Sequence, residues 1–162
     1  MSIHDVLAWI YALPVADHIR TSIWLFPAIE SIHVLAILFV IGSISRVDLR
    51  LLGVIWRDRP ITQVSDELLP WTWTSFVVAA AAGSFLFTSA AIKYSGNIFF
   101  DVKMVLIVLA GINMLVFQFV TYRTVDQWNM AASPPVAAKI AGALSLTLWI
   151  GVVACGRFIG FT

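Results

Sequence analysis

The chain has 162 residues, 60% of them hydrophobic and 12% charged, with a formal net charge of +1 and a mean hydropathy of +0.94. That balance excludes a water-soluble globular domain of ordinary composition, and the lack of any basic run excludes nucleic acid as a partner. A lone Cys155 permits no disulfide within the chain, and no Cys-x-x-Cys-His motif is present for covalent attachment of a c-type haem.

The first residues lack a basic start and carry Asp5 and Asp17, so they are expected to be retained rather than removed as a secretory signal. Ile3, Val6, Leu7 and Ile10 fall at helical spacing with His4 and Asp5 on the other side, which predicts a short helix lying in the membrane interface, with the role of a lid. Four stretches then reach the roughly 20 apolar residues that a spanning helix needs: 23–43, 71–91, 99–120 and 136–158. They take up more than half of the chain, leaving a single domain, 1–162, with no room for a separate soluble unit.

Pro60 lies beyond the first span, Pro70 is expected in the first turn of the second, and Ser133 followed by Pro134 and Pro135 opens the fourth. Short connections join antiparallel neighbours. The expected fold is therefore all-α: an integral membrane antiparallel four-helix bundle with a short N-terminal interfacial helix. The stretch "RVDLRLLGVIW" keeps apolar helical spacing while gaining Arg46, Asp48 and Arg50, which predicts a stem protruding past the membrane with a charged rim, and Gly42 with Ser45 is expected to form a small-residue helix contact.

The loops after the first and third spans hold Arg46, Arg50, Arg57, Arg59, Arg123 and Lys139, six basic residues, against Arg20, Lys93, Lys103 and Arg157, four, on the other side. An excess of Lys and Arg marks the cytoplasmic side, so both termini are expected to be periplasmic. Trp24 near one face and Trp56, Trp71, Trp73 and Trp128 near the other fit interfacial anchors, while Trp149 is expected to pack inside the bundle.

Glu30 and His33 interrupt the first span. Three residues apart, they share a helix face, about 10 and 15 Å below the outer boundary at 1.5 Å per residue. Ionisable side chains at such depth are costly, face the bundle interior and mark function. A bland alternative is a His satisfied by a backbone carbonyl beside a neutral, hydrogen-bonded Glu. Lys103 falls at nearly the depth of Glu30, and Arg157 about one turn from the same face. These cations would either snorkel to the headgroups, form a Glu30–Lys103 ion pair, or neutralise the propionates of a haem b whose iron takes an axial nitrogen from His33. In that last reading Glu30 and His33 carry the chemistry, and Gly83 and Ser84 of the second span, at comparable depth, give the macrocycle room.

His4 and His18 precede the first span, so a bis-His haem cannot be held between two helices of one chain. The iron would be five-coordinate, or would take Met104, Met114 or a residue of a neighbouring subunit. His4 and His18, with Asp5, are the candidates for a surface copper site; a di-iron site would need more inward carboxylates than Asp101 offers. Asn113 is expected to bond across helices.

Pro27-x-x-Glu30-x-x-His33, "DLRLLG" at Asp48 to Gly53, "DVKMVLIVLAGIN" and "GRF" at Gly156 to Phe158 resemble an uncharacterised bacterial family of small four-helix inner-membrane proteins. That family is similar in architecture to four-helix membrane b-type cytochromes and to membrane domains of copper-resistance proteins. The resemblance implies haem- or metal-linked redox work in the bacterial cytoplasmic membrane.

The leading expectation is a membrane haem-b protein acting in redox or small-ligand chemistry near the outer face, with a quinone or small redox partner and the activity of a haem-dependent oxidoreductase. The alternatives are a proton- or ion-translocating transporter using Glu30, His33 and Lys103, for which the inner half offers only Ser145, Thr147, Asn113 and Gln118, or a structural subunit of a membrane complex. Four short helices bury little, so a homo-oligomer in the lipid bilayer is expected in each case.

Overall fold

The computed structural model describes residues 3–131 and 133–161. The helices run in the order α1 (Ile3–Tyr11), α2 (Pro14–Thr21), α3 (Leu25–Leu51), α4 (Ile61–Ser89), α5 (Ala91–Ser95), α6 (Ile98–Val116) and α7 (Val136–Ile159). A π-helical turn at Phe117–Thr121 and a 3-10 segment at Tyr122–Gln127 continue α6. Four of these, α3, α4, α6 with its continuation, and α7, are long and apolar enough to cross a membrane. The chain is an all-helical, multi-pass membrane protein.

The four long helices alternate in direction, so α3 starts and α7 ends at one end of the bundle, the near face, and the α3–α4 and α6–α7 connections form the far face. Helix α3 lies against α4 and α7, and α7 against α6, whereas the α4 and α6 backbones barely meet. At the near face that looser seam is bridged by aromatic stacking, with Phe87 of α4 on Phe100 of α6 at 5.3 Å and Tyr94 of α5 at 5.6 Å from Phe100. Helix α6 buries only Ala110.

Two spans are longer than their apolar runs suggest. Helix α4 starts at Ile61, so Pro70 lies inside it rather than in its first turn. The polar Asp66 and Glu67 and the proline masked this segment in the sequence. Helix α3 runs to Leu51 and stops because Gly53 takes φ +71°, which only glycine adopts without steric cost. The Gly53 amide then donates to the Arg50 carbonyl and the Val54 amide to the Leu49 carbonyl, satisfying the last turn.

With 27 and 29 residues, α3 and α4 are roughly 40 Å long, against about 30 Å of hydrocarbon. The far-face end, where a protruding stem with a charged rim was expected, is packed into the rest of the chain. It is the best-packed part of the molecule, where Val47, Leu51, Ile61, Val64, Val125, Trp128 and Ala138 form a buried cluster. Trp128 is 8% exposed, a core residue rather than an interfacial anchor. Trp149 meets Phe76 edge-to-face at 6.4 Å, as its depth suggested.

Arg50 holds this end together. It is 0% exposed, and its guanidinium donates to the carbonyls of Arg59 at 2.9 and 3.0 Å, Ala131 at 3.4 Å and Asn129 at 3.5 Å. Asn129 in turn accepts from the Thr62 amide through Oδ1 and from the Ile61 amide through its carbonyl, capping α4 from the other connection. Bonds to a charged donor are worth about 1.5–3 kcal/mol each in a buried setting. The residue expected on a charged rim is thus the clamp between the two far-face connections.

The near face carries two short helices where one was expected, because Pro14 opens a second after Leu13. In α1, Val6, Leu7 and Ile10 are half-buried while His4 and Asp5 are exposed; the Ile3 side chain lies outside the described residues. In α2, Ala16 and Ile19 are buried. Arg20 ties α2 down, with its guanidinium 3.9 Å from the Tyr11 ring and hydrogen-bonded to Asp17 and to the Ser89 carbonyl of α4.

Candidate functional site

His33 is presented by α3 to α4. The His33 Nδ1 atom lies 2.8 Å from the Ala79 carbonyl oxygen. A carbonyl only accepts, so Nδ1 carries the hydrogen and, in the neutral ring, Nε2 keeps its lone pair. Gly83, one turn further along α4, makes the approach feasible: a Cβ built there would lie 2.9 Å from His33 Cε1 and 3.3 Å from Nδ1. The absent side chain at Gly83, expected to make room for a macrocycle, is filled by the imidazole itself.

Lys103 of α6 is half-buried and extends to α7 rather than outwards, with its Nζ 3.7 Å from the place a Cβ on Gly156 would occupy, beside Cys155. Lys103 and Glu30 both lie close enough to act electrostatically on the His33 ring. The two do not pair: the ion pairs among the described residues are Asp17–Arg20 and Glu67–Arg59. Glu30 is exposed and acts on Tyr94, whose phenol is pushed above its ordinary range first by burial and then by that carboxylate. Arg157 is exposed at the near face with its guanidinium 4.8 Å from the Phe161 ring. Glu30, His33, Lys103 and Arg157 therefore gather in the near half of the bundle.

Other expected positions fall elsewhere. Ser84 is exposed and donates to the Ala80 carbonyl of its own helix. His4 and His18 are exposed on α1 and α2, and no group of three or more His, Cys, Asp or Glu side chains among the described residues is arranged to hold a metal ion. Asn113 donates across to the Ala141 carbonyl of α7 at 3.0 Å. Gly42 meets nothing; its neighbour Ser43 makes the small-residue contact instead, accepting from Thr72 Oγ1 at 2.7 Å.

The far half is more polar than four scattered residues. Ser43, Asp48, Ser65, Thr72 and Ser145 are buried there. Sequence reasoning missed Asp48 because it grouped it with the solvated arginines. The signal was present in the 3-4-3-4 spacing of His33, Ala36, Val40, Ser43 and Val47, which carries the inward face of α3 to Asp48, Arg50 and Leu51.

A model of a family of unknown function, DUF6644, matches residues 23–162. The chain belongs to this family. The match covers the four spanning helices together with Glu30, His33, Asp48, Arg50, Lys103 and Arg157, and leaves α1 and α2 outside. No curated protein and no solved structure matches the chain.

Proposed function

We propose that this DUF6644 protein is a haem-b protein of the bacterial cytoplasmic membrane, with its site in the outer half, both termini periplasmic, and redox or small-ligand chemistry as its work. The observation that supports the reading is the His33–Ala79 bond, which is equally the carbonyl satisfaction expected of a histidine without a guest. Histidines that ligate metals through one ring nitrogen commonly donate the other N–H to a backbone carbonyl, which fixes the tautomer and raises ligand basicity. His33 has that second bond, and its Nε2 makes no hydrogen bond among the described residues, though it lies against Gly83.

The other residues suit the group in part. Arg157 and Lys103 supply cations at the same end for two propionates, although Lys103 reaches toward α7 and the near-face end of the α4–α6 seam is closed by Phe87 and Phe100. Gly83 serves the imidazole and not the macrocycle. A haem held by His33, with Lys103 and Arg157 at its propionates, would supply one-electron or small-ligand chemistry. The Ala79 carbonyl orients the imidazole and the far-face cluster closes the other half, while Lys103 and Arg157 would counter the propionate charge. Loss of the Soret band in His33→Ala, with haem b recovered from the wild type as its pyridine haemochrome, is the expected result. A wild-type protein without a Soret band, or a band unchanged in His33→Ala, overturns the reading.

A second reading, proton translocation, is favoured by the far-half set of Asp48, Ser145, Ser43 and Thr72, which adds polar groups beyond those visible in the sequence. A colourless protein with proton flux in liposomes, reduced in His33→Ala and Asp48→Asn, would support it over haem. A colourless protein without flux would overturn it.

A further inference from the structure

Asp48 is 3% exposed, and its Oδ2 atom has no hydrogen-bond partner. The Ser145 hydroxyl of α7 is its hydrogen-bonding side-chain neighbour. The helices are in close contact here: a Cβ on Gly142 would lie 2.9 Å from the Asp48 carbonyl oxygen and 3.2 Å from Leu51 Cβ. Glycine at 142 is what lets α7 come near enough to enclose the carboxyl.

The charged groups of this end do not compensate it. Arg50 is spent on the carbonyls of Arg59, Asn129 and Ala131. On α4, Glu67 pairs with Arg59 and Asp66 is exposed, and on α7, Lys139 donates to Ser133. Arg46 of α3, Arg57 and Asp58 of the following connection, and Asp126 in the continuation of α6 are exposed. Tyr122 hydrogen-bonds toward Ser65 of α4. An ionised carboxylate enclosed without a cation is among the costliest groups to bury. A neutral carboxylic acid carries no charge to leave unsolvated, and the Ser145 hydroxyl can donate to it or accept from it.

We propose that Asp48, with Ser145, is a proton-binding site: one proton from the far-face water adds to the carboxylate, forms an O–H bond and cancels one negative charge, and its release restores the anion. The site lies one helical turn from the end of α3, so the far face is the side that feeds it. Asp48 is fifteen residues, about 22 Å along the helix, from His33, and the proposal stands whether or not haem binds there.

Infrared spectroscopy of the intact purified protein tests it. The wild type should show a protonated-carboxyl C=O band that fades as the pH is raised and moves in D2O. The band should be lost in Asp48→Asn and displaced in Ser145→Ala, which removes the hydroxyl partner. If Asp48→Asn does not fold, the Ser145→Ala displacement decides. Identical spectra for wild type and Asp48→Asn, a band fixed across the pH range in which the protein stays folded, or an undisplaced band in Ser145→Ala overturns the proposal. So does thermal stabilisation by Na+ that is absent in Asp48→Asn, since the carboxylate would then be holding a metal cation.

Discussion

The two ends of the bundle handle buried polarity in opposite ways. At the far face Arg50 is entirely enclosed, and every carbonyl it holds belongs to a connection that needs closing. At the near face Lys103 is only half-buried and finds no hydrogen-bond partner among the described residues, and Glu30 and Arg157 stay exposed. Within lipid, apolar transfer drives helix association little, and packing and polar bonds decide it. The far face combines both devices and is built for stability. The near face ties Arg20 down but leaves Glu30, Lys103 and Arg157 outside the ion pairs of the described residues.

The largest break in this contrast should come from Arg50. Arg50→Ala removes the clamp and orphans several carbonyls, and should cost about 3 kcal/mol or more, read as a large fall in thermal midpoint and yield in detergent. Lys103→Met at the other end should change stability by less than about 1 kcal/mol, because no bond is lost. Equal losses would erase the distinction between the two ends.

A narrower comparison uses the two contact glycines. An added Cβ at Gly142 meets the Asp48 backbone at 2.9 Å, whereas at Gly83 it meets the rotatable His33 ring at 2.9 Å. Gly142→Ala should therefore destabilise by about 1–3 kcal/mol and Gly83→Ala by less. Gly83→Ala should nonetheless release the imidazole from Ala79, visible by NMR as a changed His33 tautomer or ring signal. The reverse ranking in thermal midpoint would place the rigid contact at His33.

The smallest effect concerns pH. Because the Tyr94 phenol lies above its ordinary range in the folded chain, the folded state keeps its proton longer than the unfolded one. Stability should then fall as pH rises beyond the ordinary phenol range. Tyr94→Phe should lose less over that alkaline interval, and an identical alkaline decline in both proteins would contradict the assignment.

Four spans and the near-half gathering of Glu30, His33, Lys103 and Arg157 were legible from apolar runs and from depth counted along each helix. The ten-residue start of α4 was not, since Asp66, Glu67 and Pro70 interrupt its hydropathy while tertiary contacts keep it helical. Arg50 and Asp48 were misread for a related reason: composition assigns charges to water, and only the inward periodicity of α3 shows that these two continue the buried stripe. Gly83 was placed at the right depth, but its partner is a ring of the same chain. No pattern in a single sequence distinguishes that from space kept for a guest.

The Ala79 carbonyl gives the His33 ring a chemical sign. By claiming the only hydrogen of the neutral imidazole, it turns the opposite edge of His33 into a pure electron-pair donor. A metal centre or an N–H or O–H group is welcome there. An oxygen acceptor meets no hydrogen on that edge unless the ring gains a second proton, so the character of this spot is set by a backbone atom on the neighbouring helix.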